Sequence, residues 1–272
     1  MAQEIDDEPP HPGRALQRIA VDAVDHAIAC LQLRGAAVHR GVHQARKSLR
    51  RARAVLRLGG ESLGSDAAAV DEELRELVRG LSQARDADAL VKTLDRLLRR
   101  EDRDAERAVL RRARAAAVRA RTAVLRAALA DDPDFGRRRD RLLQAAAALG
   151  GLPWETLTSG QLLAVVEAAG RRVDKAAQRA QDSGRDEDWH RWRRRERRLV
   201  QKQRLLAGIG LPVEIERRHK ALARTLGQAQ DYALLRAHCG RGSPFDRDDR
   251  PKLKRLADAG LAKLRGRIAS AR

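Results

Sequence analysis

The chain has 272 residues and a formal net charge of +19, from 57 Lys and Arg against 38 Asp and Glu. That excess points to a polyanionic partner such as nucleic acid, an acidic membrane surface or a phosphate polymer. Aromatic residues are only 2% of the chain, too few to line a groove that reads bases by stacking. No apolar run approaches the length of a membrane span.

The first 13 residues, MAQEIDDEPPHPG, are acidic and Pro-rich. They read as a disordered tail and lack the basic and apolar regions of a signal peptide, so a cytoplasmic setting without membrane attachment is expected. Beyond them the periodicity is helical nearly throughout, and strand formers are sparse. Helices are expected near 14–34, 38–58, 65–81, 86–99, 101–130, 134–148, 159–183, 186–207, 213–226, 230–240 and 250–269. Gly59 and Gly60 close one, Gly150, Gly151 and Pro153 another, and Gly208, Gly210 and Pro212 a third. Pro251 suits a first helical turn, after aspartates that can cap it. Cys30 and Cys239 form no CxxC pair and read as buried thiols in a reducing compartment. The fold class is all-α, with four-helix bundles the usual way to pack such helices.

Two motifs recur in the same order. HQARKSLRRA (43–52) returns as HRWRRRERRL (190–199) at an offset of 147, placing His43, Arg46, Lys47, Arg50 and Arg51 on His190, Arg193, Arg194, Arg197 and Arg198. LSQARDADAL (81–90) returns as LGQAQDYALL (226–235) at an offset of 145, which also sets Arg75 on Lys220 and Arg79 on Arg224. Such ordered recurrence implies a duplication: two four-helix bundles related by pseudo-twofold symmetry, over 14–150 and 151–272.

Within the first motif, Val42, Ala45, Leu49, Ala52 and Leu56 form an apolar stripe with 3-4 spacing. His43, Arg46, Arg50, Arg53 and Arg57 form a parallel stripe one position on, about 100° around the helix. Lys47 and Arg51 broaden it. In the second copy His190, Arg193, Arg197 and Arg204 continue the pattern, Glu196 interrupts the apolar edge, and Lys202 can extend the charge. Like charges at these spacings repel. An anion relieves that repulsion, and cations recurring every turn, about 5.4 Å, suit a linear polyanion gripped by Arg donor forks.

Other chemistry is thinly represented. There is no P-loop, dinucleotide fingerprint, HExxH or EF-hand pattern. His39 and His43 stand at i,i+4, but no neighbouring carboxylate completes a metal site, so neither metal nor cofactor is expected. Asp86 and Asp231 recur as a pair; they read either as caps and partners for Arg or as metal-binding acids of a phosphate-polymer enzyme. No nucleophile–base pair stands out.

The run His-x-x-Arg-Lys-x-x-Arg-Arg-x-Arg at 43–53 resembles the first signature of the CHAD family, the conserved histidine α-helical domain, and the run at 190–198 resembles its second. The runs at 81–86 and 226–231 resemble the segments that follow each signature. The resemblance covers residues 14–270. It implies an α-helical domain of two four-helix bundles that binds inorganic polyphosphate in a basic cavity and associates with polyphosphate granules. It looks like a stand-alone member, without the triphosphate-hydrolase domain to which the family is often fused. The contacts implied are His43, Arg46, Lys47, Arg50, Arg51 and Arg53, then His190, Arg193, Arg194, Arg197 and Arg198. Arg57 and Arg204 extend the stripes, and Arg75, Arg79, Lys220 and Arg224 follow from the internal alignment. Departures fall in the second copy: Glu196 at a normally apolar position, Val200 and Gln201 where the family has Arg followed by Tyr, and Gln230 in place of the Arg of the first copy. The expectation is non-catalytic polyphosphate binding, with non-specific nucleic-acid binding as the alternative.

Overall fold

A computed structural model describes residues 11–214 and 217–270, and these are helical with short connections. The expected tail at 1–10 lies outside the described residues, while Pro12 and Gly13 already belong to the first helix. In chain order the α-helices are α1 (Pro12–Leu31), α2 (Val38–Gly59), α3 (Gly64–Gly80), α4 (Ser82–Leu98), α5 (Asp104–Asp131), α6 (Gly136–Gly150), α7 (Ser159–Ser183), α8 (Asp186–Ala207), α9 (Arg217–Ala237) and α10 (Arg250–Ser270). The glycine breaks fall as expected after α2, α6 and α8; Gly60, which caps α2, takes φ 54°, a left-handed backbone that glycine adopts without a Cβ penalty. Thr158 caps α7 through a reciprocal capping box with Gln161. Pro251 sits in the first turn of α10. Asp249 before it receives Arg112 at 2.6 and 2.9 Å.

One expected break is absent. Separate helices at 213–226 and 230–240 are replaced by continuous α9. Gly227 is helical there, and a Cβ on it would meet nothing within 4 Å; a lone interior glycine weakens a helix without ending it.

The apolar stripe of α2 is buried throughout: Ala45, Leu49 and Ala52 are fully enclosed. It packs with α1, α3 and α6 and with Leu205 and Leu206 of α8 into the largest apolar cluster. Gly41 lets α2 approach α1 closely, since a Cβ there would stand 2.2 Å from the Cys30 carbonyl oxygen. A second cluster unites α4 and α5 with Leu235 of α9 and Leu253 and Ala257 of α10. A third joins α7 and α8 around Trp192, with Leu226 and Ile268. The apolar clusters therefore do not divide at residue 150: the α4–α5 hairpin shares its core with α9–α10. Cys30 is buried and Cys239 half-buried, and both are free thiols. Among the described residues no helix is long and apolar enough to cross a membrane.

Candidate anion-binding cleft

Where each cation of α2 goes follows from its angle to the buried stripe. At 100° per residue, Arg53 and Arg46 lie ~60° and ~80° from the centre of that stripe, Arg57 ~100°, Arg50 ~120° and Lys47 ~180°. Burial follows this order: Arg46 and Arg53 are buried, Arg50 and Arg57 half-buried, and Lys47 exposed. The basic stripe is thus graded, and its inner members serve the protein. Arg46 Nη1 donates to the Val78 carbonyl oxygen and, at 2.9 Å, to Ser82 Oγ. Val78 lies in the last turn of α3, and its carbonyl oxygen also accepts from Ser82 Oγ at 3.1 Å, so Arg46 and Ser82 together satisfy this helix end. Arg53 grips both oxygens of Asp71 at 2.8 and 3.1 Å, and Arg57 reaches Asp71 Oδ2 at 3.1 and 3.3 Å. Burial alone would raise the Asp71 pKa; the bonds and charges of Arg53 and Arg57 outweigh it and hold the carboxyl below its ordinary value.

The outer members meet α8 and α9 across a cavity of about 1100 Å³. Lys47, Arg50 and Arg51 of α2, Arg197 and Arg204 of α8, and Lys220 and Arg224 of α9 all line it. Seven residues chosen from sequence converge there from three helices. α2 and α8 are tied beneath it: Gln201 Nε2 donates to the Arg50 carbonyl oxygen at 3.1 Å. A glutamine at this departure from the family pattern is thereby a bridge between the two basic helices.

A smaller cavity of about 440 Å³ between α8, α9 and α10 holds His190, Arg193 and Arg194. His190 Nδ1 donates to Gln230 Oε1 at 2.6 Å, so Gln230, the second departure, orients the repeated histidine. Arg265 of α10 lies 5.2 Å from the Trp189 ring centre and donates to Asp186 at 2.5 Å. The third departure, Glu196, is fully buried and accepts from His219 Nδ1 at 2.5 Å, fastening the start of α9 to α8.

Other expected contacts lie elsewhere. Arg75 and Arg79 are exposed on α3, pair with Glu72 and Glu76 one turn back, and line neither cavity. His43, half-buried, and Arg198 also line neither. Asp231 pairs with Arg96 at 2.6 Å, and neither it nor Asp86 reaches the cavities. Among the described residues no group of three or more His, Cys, Asp or Glu side chains could hold a metal ion. Sequence reasoning missed Asp22 and His26 of α1 and Gln44 and Ser48 of α2, which complete the larger cavity. The α1 pair belongs to no recurring motif, and only tertiary packing carries it to the cleft.

A model of the CHAD domain matches residues 8–240. The chain belongs to the CHAD family. Two curated relatives, the uncharacterized proteins MT2285 and Rv2226 of Mycobacterium tuberculosis strains CDC 1551 and H37Rv, are each 31% identical over 249 residues, 86% of this chain and 47% of theirs. This CHAD chain thus spans about half the length of those relatives. Among solved structures, PptA from Streptomyces chartreusis superposes with a TM-score of 0.68 at 18% identity, covering 95% of this chain and 98% of that one. The CHAD domain from the plant Ricinus communis gives 0.58 at 19% identity, covering 95% and 86%. At these identities the two structures establish the CHAD fold.

Proposed function

We propose that this CHAD protein binds inorganic polyphosphate, without catalysis, in the cleft between α2, α8 and α9. The observation that carries the reading is the convergence of seven Lys and Arg side chains from three helices on one large open cavity. A linear polyanion with one charge per phosphate matches cations repeated along helix faces, and Arg forks take phosphate oxygens in pairs. The recurrence of the α2 motif in α8 supports reading the two helices as duplicated copies, and the family resemblance suggests association with polyphosphate granules. Asp231 is committed to Arg96, which favours a structural role over an acid–base one.

Binding of this kind releases counterions, so affinity falls steeply with salt. Arg50→Glu with Arg197→Glu puts two repulsive charges in the cleft and is expected to weaken retention of long-chain polyphosphate about a hundredfold or more at moderate salt, with helicity by circular dichroism unchanged. Unchanged retention by the folded double variant would remove the cleft assignment. Nucleic acid is the competing polyanion. Duplex DNA displacing polyphosphate at equal phosphate concentration would shift the reading to a general polyanion binder.

A further inference from the structure

The smaller cavity, between α8, α9 and α10, differs from the cleft in the chemistry of its walls. Leu226, Ala229 and Ala233 follow one another at 3-4 spacing along α9 and share one face. Leu261 of α10 and Trp189 of α8 line the cavity with them. Leu226, Ala229 and Leu261 are buried. Trp189 is held in place: its ring centre lies 5.4 Å from that of the fully buried Trp192 and 5.2 Å from the Arg265 guanidinium. Arg265 is fixed in turn by Asp186, which also receives Arg236. At about 440 Å³ the space falls among small-molecule sites, which span roughly 300–1,000 Å³.

We propose that this cavity binds a small aromatic monocarboxylate, with its ring between Trp189 and the α9 alanines and its carboxylate on Arg265.

Three observations support it. First, the walls form an apolar slot. Alanines one turn apart on α9 leave room for a flat body beside an indole, and aromatic rings pack against one another by offset or edge contacts. Second, Arg265 has an unused donor. Its Nη2 is committed to Asp186, but its Nε is enclosed and has no hydrogen-bond partner among the described residues. An enclosed donor without an acceptor is destabilising, and a carboxylate oxygen satisfies it with a charge-assisted bond. Third, the surrounding charge disfavours a polyanion. Asp186, Glu187 and Asp188 occupy the first turn of α8, and the first two line the cavity. Arg191 is engaged by Asp188 at 3.2 Å. Gln230 stands where the first copy of the motif has Arg85, so this wall has one cation fewer than the recurring pattern supplies. A chain of phosphates would meet these acids and press charge against apolar side chains, whereas one carboxylate on a ring matches both parts of the wall. His190, Arg193 and Arg194 also line the cavity. Recognition nevertheless rests on Trp189, Arg265 and the apolar side chains of α9 and α10, none of which belongs to the recurring cationic stripes. The site does not depend on the cleft reading.

The test titrates 2-naphthoate by calorimetry into the wild type and into the Arg50→Glu/Arg197→Glu variant, where the cleft is disabled, with tryptophan fluorescence as a second readout. Saturable one-to-one binding to both, with a change in indole emission, is expected. Uncharged 2-naphthylmethanol and ring-free acetate are each expected to bind about tenfold or more weakly, since each lacks one half of the match. Ala233→Leu fills the slot and is expected to abolish binding with helicity unchanged. Arg265→Lys keeps the positive charge but removes the planar fork and its Nε, and is expected to weaken naphthoate about fivefold or more while leaving naphthylmethanol unchanged. Absence of saturable naphthoate binding by the folded wild type overturns the site. Equal binding by Ala233→Leu overturns it too, by placing the ligand on another surface, as does binding that the cleft variant loses. Pyrophosphate displacing naphthoate at a lower concentration than benzoate would assign the cavity to phosphate and overturn the ligand class.

Discussion

In α2, Arg46 turns into the protein and closes the end of α3 through Val78 and Ser82. In α8, Arg193 holds the matching place in the motif and lines a cavity wall. The difference begins one motif later. The first copy has Ser82 and a helix break at Leu81, and the second has Gly227 inside an unbroken α9. At the broken helix the Val78 carbonyl takes side-chain donors, Ser82 Oγ and the motif arginine, where an unbroken helix would supply a backbone N–H. The partners of the two copies diverge in the same way. Arg75 and Arg79 remain on the outer face of α3 with Glu72 and Glu76, while Lys220 and Arg224 enter the cleft from α9. Two copies of one sequence pattern can thus diverge position by position: both α2 and α8 line the cleft, but Arg46 braces α3 where Arg193 lines a cavity, and α9 adds charge to the cleft where α3 does not.

The largest stability effect is expected in the first copy at Asp71. Asp71→Asn leaves Arg53, only 10% exposed, without its counter-charge and is expected to cost about 3 kcal/mol in urea unfolding. The sign with pH follows from the depressed Asp71 pKa. Its contribution is present above the unfolded carboxylate value and is lost as pH falls through the lower, folded value, so the wild type loses this increment on acidification and Asp71→Asn does not. Next is Arg46→Met, which strips a charged donor from the Val78 carbonyl and Ser82 and is expected to cost about 2 kcal/mol. Arg193→Met, on a cavity wall, is expected to cost about 1 kcal/mol or less by the same measurement. Equal costs for the two arginines would erase the division between the copies. The smallest effect is at Gly227: Gly227→Ala fills open space in α9 and is expected to stabilise by about 0.5–1 kcal/mol. A loss there would mean that α9 needs its glycine.

Much of this was readable in the residues, because helix periodicity and glycine punctuation act locally. The buried stripe Val42–Ala45–Leu49–Ala52–Leu56 and the glycine ends of α2, α6 and α8 follow from them. The motif also led to Lys47, Arg50, Arg51, Arg197 and Arg204 in the cleft, since a repeated cationic stripe marks a face. It did not tell which cations the protein keeps for itself. Arg46 and Arg53 differ from Arg50 by small angles around α2, and only the arrival of Val78 and Asp71 from α3 decides their fate. Asp22 and His26 were invisible for a similar reason, as α1 joins the cleft through packing alone. The three departures in α8 and α9 needed partners to become intelligible: Gln201 with Arg50, Glu196 with His219, and Gln230 with His190.

The central claim, that α9 presents charge to the cleft while its counterpart on α3 does not, is tested by exchanging charge at matched positions. Long-chain polyphosphate binding is measured against salt for Lys220→Glu/Arg224→Glu and for Arg75→Glu/Arg79→Glu, two variants with the same change in net charge. The account predicts that the α9 variant binds about tenfold or more weakly, with a salt slope reduced by about 1.4 from the loss of two phosphate contacts, while the α3 variant stays close to wild type. Equal weakening of both would show that net charge alone attracts the polymer and would contradict the cleft.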